Sequence, residues 1–223
     1  FLPDIFRHFG HLKSLEGIKE LWSKNETRVL ELGAGTGYLA RLINQQNQNV
    51  KYVIIDIPET LCFSFMRLSD EFPDKKVLLI DQPGINEKYN LQDFDLIFCP
   101  TTFKNEVLDL NYDLFINTAS FGEMKSNDVA DWFDTIQQKI KPTYIFSVNR
   151  YLNTLIPGEH DWRHEENGSC LFFNGNWKIL DWELEPGFLR CPWNNKYARY
   201  LLILAKYQEG KSIDVKQESQ RLL

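Results

Sequence analysis

Five side chains and main-chain positions near the start of the sequence have types and spacings that could hold a ligand: Glu31, Gly33, Gly35, Gly37 and, 21 residues beyond Gly35, Asp56. A buried strand (Val29, Leu30, Leu32) runs into the turn Gly33-Ala34-Gly35-Thr36-Gly37. A helix then begins with Tyr38, Leu39, Leu42 and Ile43. Glycines let the main chain take positive φ and let a ligand lie directly against it, and the first turn of the helix offers free N–H groups. The next apolar run, Tyr52-Val53-Ile54-Ile55-Asp56, ends in a carboxylate able to accept from two ribose hydroxyls. The combination points to a nucleotide-like ligand. The plain alternative is a tight strand-to-helix turn in which Asp56 only caps a helix.

Two kinds of cofactor use such a turn. Dinucleotide enzymes place a third glycine where Tyr38 stands here, and the acidic Glu31 ahead of the glycines also argues against NAD. E-x-G-x-G-x-G after an apolar strand resembles motif I of the class I S-adenosyl-L-methionine (SAM) methyltransferases. That resemblance implies SAM held by Glu31, Gly33, Ala34, Gly35 and Gly37, with Asp56 and Ile57 following at the ribose.

Further elements must position these groups. Leu12, Leu15, Ile18, Leu21 and Trp22 recur at helical spacing, predicting an amphipathic helix from about His11 to Lys24. It would cover the sheet or, as in such methyltransferases, lie over the cofactor. Pro58 opens a helix whose buried face is read as Leu61, Cys62, Phe65, Met66 and Phe72. Lys76 to Ile80 and Phe94 to Cys99 are both strands, one more than a seven-stranded plan needs at this point. The loop meeting adenine is therefore Cys99-Pro100-Thr101-Thr102 or, as the rival, Ile80-Asp81, with the first favoured by its short crossover to the next strand. Tyr112 to Asn117 is the fourth main strand and runs into Thr118 to Met124. A helix capped by Ser126, Asn127 or Asp128 then buries Val129, Trp132, Phe133, Ile136 and Ile140, and Lys141-Pro142 ends it. Thr143 to Val148 is the fifth strand. Asn149 to Gly168 has no periodicity, and Trp177 to Leu184 and Arg199 to Lys206 read as a closing strand pair. The expected fold is α/β: a Rossmann-like, mostly parallel seven-stranded sheet with a C-terminal antiparallel β-hairpin. The expected organisation is a helical cover (1–26), a methyltransferase domain (27–208) and a polar tail (209–223).

In an open α/β sheet, chemistry gathers beyond the C-terminal strand ends, here Gly33 to Gly37, Asp56 to Pro58, Asn117 to Met124 and Asn149 onward. The phrases YVIIDIPETL, DLFINTASFGEM and SVNRYLN, in that order after ELGAGTGYLA, resemble a bacterial family of sugar O-methyltransferases. The resemblance runs from about Lys13 to Tyr207. It implies SAM as methyl donor, the Asn117-Thr118 turn as a further cofactor contact, and a sugar hydroxyl as acceptor in surface-glycan or natural-product synthesis. A hydroxyl acceptor needs a base. Glu123, after the fourth strand, is one candidate, though it would equally suit the N-terminus of the next helix. His160 and His164, in HDWRH, are the others. Their spacing could suggest a metal, but nothing else supports one, and no metal is expected. Arg150, Tyr151, Trp162, Arg163 and Trp193 could wall a sugar site.

Composition narrows the classes. With 25 Lys and Arg against 31 Asp and Glu, the net charge is −6, and no basic cluster suits a nucleic-acid backbone. A small-molecule or glycan substrate fits better. The four cysteines, Cys62, Cys99, Cys170 and Cys191, form no C-x-x-C pair, and Cys62 and Cys99 read as small core residues. No apolar run reaches 18 residues and there is no signal pattern, so a cytoplasmic protein without a membrane span is expected. The chain begins at Phe1 and not at methionine, consistent with a fragment of something longer. Oligomeric state is not legible. The rivals to a methyltransferase are a NAD-linked sugar-modifying enzyme and a catalytically inactive SAM-fold partner subunit.

Overall fold

β1 (Thr27–Leu32) is buried along all six residues, as an apolar run must be when both faces of a parallel sheet are covered. The computed structural model describes residues 2–152, 173–184 and 199–209. Among the described residues eight strands, not the seven expected, lie in the order β3-β4-β2-β1-β5-β6-β8-β7. The chain divides into two units, 1–116 and 117–223.

In the first unit, β1 pairs in parallel with β2 (Val50–Asp56) and with β5 (Leu114–Thr118), which runs on past the division. β4 (Leu96–Pro100) pairs in parallel with β2, and β3 (Val77–Leu79) pairs in parallel with β4 at the edge. The surplus strand is therefore β3: the later segment inserts between it and β2, leaving the earlier one short and only half covered.

The single helix expected over His11 to Lys24 is two. α1 (Leu2–Glu16) stops before Gly17, and α2 (Lys19–Trp22) follows. Leu12, Leu15, Ile18 and Leu21 are nonetheless all buried, because the break is a tight turn in which the Ile18 N–H donates to the Leu15 carbonyl (3.0 Å) and the Trp22 indole N–H to the same oxygen (2.7 Å).

α3 (Tyr38–Gln46) follows the glycine turn, and α4 (Pro58–Glu71) starts on its proline. α4 buries Leu61, Ser64 and Leu68, spaced at three and four residues. Cys62 and Met66, expected in the core, are exposed, since they fall on the opposite side of that stripe. Phe65 is half-buried and meets Phe98 edge to face at 5.3 Å. A four-residue helix, α5 (Ile85–Lys88), lies between β3 and β4, and only a 3₁₀ stretch (Thr101–Glu106) lies between β4 and β5. The alternation of strand and full helix thus lapses there.

In the second unit, α6 (Ser126–Asp134) continues as a π turn through Ile140 and ends on Lys141 at φ 45°. The residue flanking its start is Lys125, one before the caps expected. Val129, Trp132, Phe133, Ile136 and Ile140 are buried. Phe133 packs on Phe121 (5.3 Å between ring centres) and on Phe173 (5.1 Å), which meets Trp177 (6.1 Å). β6 (Tyr144–Leu152) runs four residues beyond the strand expected, so Asn149 to Leu152 is extended and not irregular. β8 (Arg199–Tyr207) pairs antiparallel with both β6 and β7 (Trp177–Leu184), which is the closing hairpin.

Candidate functional site

All three glycines of the turn are left-handed: Gly33 at φ 74°, Gly35 at 56° and Gly37 at 71°. Their roles differ. A Cβ on Gly37 would lie 3.0 Å from the Ser64 Cβ and 3.2 Å from the Leu68 Cδ1, so this glycine exists to bring α3 close against α4. A Cβ on Gly35 would meet nothing within 4 Å, which leaves an open face above the main chain where a ligand can lie. Gly33 N–H donates to the Ile55 carbonyl (2.8 Å) and Gly37 N–H to the Ala34 carbonyl (2.9 Å), so the turn is clamped at both ends.

Asp56 closes the clamp. Its Oδ2 accepts from the Gly35 N–H (2.9 Å), and its Oδ1 accepts from the Ile57 N–H (2.8 Å) and the Thr60 hydroxyl (2.6 Å). The carboxylate therefore ties the glycine turn to the start of α4 and is 8% exposed. The two sequence readings of Asp56, ligand acceptor and helix cap, are not exclusive: the cap bonds orient the carboxylate, and lone pairs are left. Ile57, half-exposed, flanks the first residue of α4.

Glu31 is 1% exposed at the end of β1. Its Oε2 accepts a 2.8 Å hydrogen bond from the Tyr52 hydroxyl, itself 1% exposed on β2. Burial pushes the Glu31 carboxyl up to about 7, opposed by the Tyr52 bond and assisted by the nearby negative Asp56. Tyr52 titrates well above its ordinary range because of its burial and the carboxyl beside it, so it remains a donor. Tyr52 reads as an ordinary core aromatic in the sequence, and only the strand register gives it a polar role.

Pro100 is the register partner of Asp56, so the β4 end and Thr101 follow directly beside the carboxylate's strand end. Ile80-Asp81 ends the outer strand, with the Ile80 N–H donating to the Phe98 carbonyl (2.9 Å). α1 packs on α3, with the His8 ring stacked on Tyr38 (5.9 Å, 22°). Burial, with the positive charge of Arg7, holds His8 down at about 3, so it is neutral at physiological pH.

The second unit holds a neutral polar cluster of its own. The Asn117 Oδ1 accepts from the Phe121 N–H (3.2 Å), so its Nδ2 must be the group that donates to the Ser120 hydroxyl (2.5 Å). The Asn149 Nδ2 then donates to the Asn117 Oδ1 and the Ser147 hydroxyl, both at 2.9 Å. Thr118 is buried beside Asn117 in β5. Ala119 sits at φ 65°, an uncommon conformation for a residue with a Cβ, held by its N–H donating to the Val148 carbonyl (2.8 Å). Neither that strain nor the roles of Ser120, Ser147 and Asn149 have a local sequence signal. Glu123 is exposed at the end of a 3₁₀ turn (Phe121–Glu123). His160, His164, Trp162, Arg163 and Trp193 lie outside the described residues, as do Cys170 and Cys191; Arg150 and Tyr151 fall on β6. Among the described residues no group of His, Cys, Asp and Glu could hold a metal, and no helix is long and apolar enough to cross a membrane.

Several solved methyltransferase structures share this architecture. The chain is similar to magnesium protoporphyrin IX methyltransferase from Synechocystis PCC 6803 with bound S-adenosylhomocysteine (SAH): TM-score 0.59 and 10% identity over 93% of this chain and 84% of that one. It is similar also to residues 942–1257 of the StiE O-methyltransferase (0.56, 12%, 88% and 74%) and to the methyltransferase domain of bacterial CtHen1 (0.55, 10%, 91% and 99%). At such identities the likeness is one of fold: a mixed α/β sheet, mostly parallel, with an antiparallel C-terminal hairpin. By sequence, the chain is 26% identical over 133 residues to the malonyl-[acyl-carrier protein] O-methyltransferase of Acetivibrio thermocellus, covering 55% of this chain and 45% of that protein. The chain thus spans less than half the length of the curated relative it matches. No family model matches it.

Proposed function

We propose that this chain is a SAM-dependent methyltransferase acting on a hydroxyl acceptor, a sugar or a related small molecule. The observation that carries the reading is the Gly35 main chain, open on its outer face and bonded through its N–H to Asp56 at 2.9 Å. That cradle fits an adenosyl cofactor: Gly33, Ala34, Gly35 and Gly37 would take its amino-acid end against bare main chain. Asp56, with Ile57, would take the ribose. Pro100, the register partner of Asp56, and Thr101 after it would flank the base. Asn117 and Thr118 remain candidate contacts at the end of β5. Bound there, the cofactor supplies an electrophilic methyl carbon on a sulfonium, so the leaving group needs no activation. What the chain must do is align the acceptor oxygen and receive its proton. Glu123, His160 and His164 are the proposed bases.

The fold and the O-methyltransferase relative support the methyl-transfer part of this reading. The sugar rests on the phrases around Asn117 to Met124 and Ser147 to Asn153 alone. The helical cover and the domain over 27–208 belong to the same proposal, as does a cytoplasmic setting. Calorimetric titration with SAH is the test, with Asp56→Ala as control. Micromolar binding lost in the variant is expected, and a screen of sugar and malonyl-thioester acceptors with SAM would then follow. No binding to the wild-type chain, or equal binding to Asp56→Ala, would sink the cofactor assignment. Saturable NADH binding would instead favour the nicotinamide rival.

A further inference from the structure

Asn149 is 3% exposed on β6, and only one end of its amide is satisfied. Its orientation is fixed by a chain of donors. The Phe121 N–H can only donate, so the atom it meets on Asn117 is Oδ1, and the group of Asn149 facing that oxygen at 2.9 Å is then its Nδ2. Both Nδ2 hydrogens are engaged, one toward Asn117, whose main-chain carbonyl lies at 3.4 Å as well, and one toward the Ser147 hydroxyl at 2.9 Å. A flipped amide would set two acceptor oxygens against each other. The atom left over is the carbonyl oxygen, and among the described residues the Asn149 Oδ1 has no hydrogen-bond partner. A buried amide oxygen left unpaired costs about 1 to 3 kcal/mol, so any donor that reaches it is bound the more tightly.

Two further observations single out this oxygen. The segment beside it carries the left-handed Ala119, tied by its N–H to the carbonyl of Val148, the residue before Asn149 (2.8 Å). Backbone strain of that kind persists where the surroundings over-determine it, and it gathers at sites that bind or react. The side chains of the cluster, Asn117, Ser120 and Ser147, carry no charge. A cation brought to Oδ1 would be desolvated with no counter-charge among them, whereas a hydroxyl offers its O–H and brings no charge to bury.

We propose that the Asn149 Oδ1 accepts a hydrogen bond from a hydroxyl of the acceptor substrate, with Asn117 and Ser147 as the positioning residues that aim it. A neutral amide oxygen orients a hydroxyl and does not take its proton, so the base is another group. The inference rests on the hydroxyl-acceptor reading above and deepens it: acceptors are selected by a hydroxyl at one ring position.

The experiment follows the Asn149 side-chain amide by NMR in the isotope-labelled wild-type chain, its signal assigned through its own backbone resonances. The probes are methyl glucoside, mannoside and galactoside at millimolar concentration, each with its monodeoxy analogues. At least one glycoside should shift the signal saturably. One of its monodeoxy analogues should bind about tenfold more weakly and leave the signal in place. Asn149→Leu should erase that tenfold discrimination. Ser147→Ala, which loosens the amide and spares Oδ1, should weaken the parent glycoside about threefold and leave the deoxy analogue unchanged, a coupling that a merely structural role would not produce. A signal that no glycoside moves, or equal binding of a glycoside and all its monodeoxy analogues, would overturn the inference and leave the oxygen to a trapped water only. Titration of the same sample with SAH separates the two readings. SAH binding with the amide unmoved overturns this inference alone, a moved amide without SAH binding overturns the cofactor reading alone, and neither response overturns both.

Discussion

The first unit buries carboxylates at its strand ends, and the second buries amides. Glu31 and Asp56 are 1% and 8% exposed, and Asn117 and Asn149 are 0% and 3%. The burial is alike and the physics differs. The amides bond to one another, each oriented by the next, from the Phe121 N–H through Asn117 to Asn149 and Ser147, with the Asn149 Oδ1 left without a partner among the described residues. Such a network holds a shape and does not respond to pH. Among the described residues Glu31 has no basic partner, so its protonation answers to whatever charge approaches. The backbones differ in the same sense: the first unit takes its left-handed turns on glycine, whereas the second takes one on Ala119 and holds it with a 2.8 Å bond to Val148. One region answers to charge and the other holds a fixed, neutral geometry.

Five substitutions can break or sharpen that contrast. The largest effect is expected at Glu31. Its carboxyl is raised from 4.5 to about 7, so its favourable contribution to folding is complete below pH 4.5 and is lost as pH rises through 7. Glu31→Gln should therefore be the more stable protein at pH 8, by on the order of 3 kcal/mol, and equal to wild type near pH 4. Urea melts at the two pH values measure this, and a pH-independent difference would remove the distinction between the units.

Next comes Gly37→Ala, which must force a Cβ to 3.0 Å from Ser64 at φ 71° and should cost about 2 to 3 kcal/mol. Gly35→Ala faces open space and should cost only about 1 kcal/mol of backbone strain in thermal melts. It should weaken SAH binding far more than Gly37→Ala does. Equal effects of the two on binding would mean that the Gly35 face is not a ligand cradle.

In the second unit, Asn117→Ala strips the acceptor from the Phe121 N–H and the Asn149 amide and should cost about 2 kcal/mol, with the same value at pH 5 and pH 8. The smallest effect is expected for Ala119→Gly, which relieves a left-handed Cβ but adds unfolded-state freedom, a net gain of about 0.5 kcal/mol. A loss of stability there would show that the methyl group packs and that φ is not what is strained.

Much of this was legible in the residues. Glycines at 33, 35 and 37 demanded positive φ, and all three have it. The apolar runs marked every strand, and the hydrophobic spacing in α6 picked out a face that is buried throughout. Where legibility failed, the cause was a partner distant in sequence. Met66 has a core residue's chemistry but falls on the solvent side of α4, because Leu61, Ser64 and Leu68 are the residues that the helix buries. The two strands competing for one place were both real, and their order could not be read because β4 reaches its position beside β2 only through non-local pairing.

The sequence by itself determined the turn, the strands and the carboxylate at Asp56, because backbone φ limits and hydrophobic periodicity act over a few neighbouring residues. Tertiary structure alone decided that Gly35 is open while Gly37 is packed, that β3 is the edge strand, and that Tyr52 holds Glu31. Each of these depends on which atoms lie across a strand pair or beneath a helix, and no local rule of spacing carries that information.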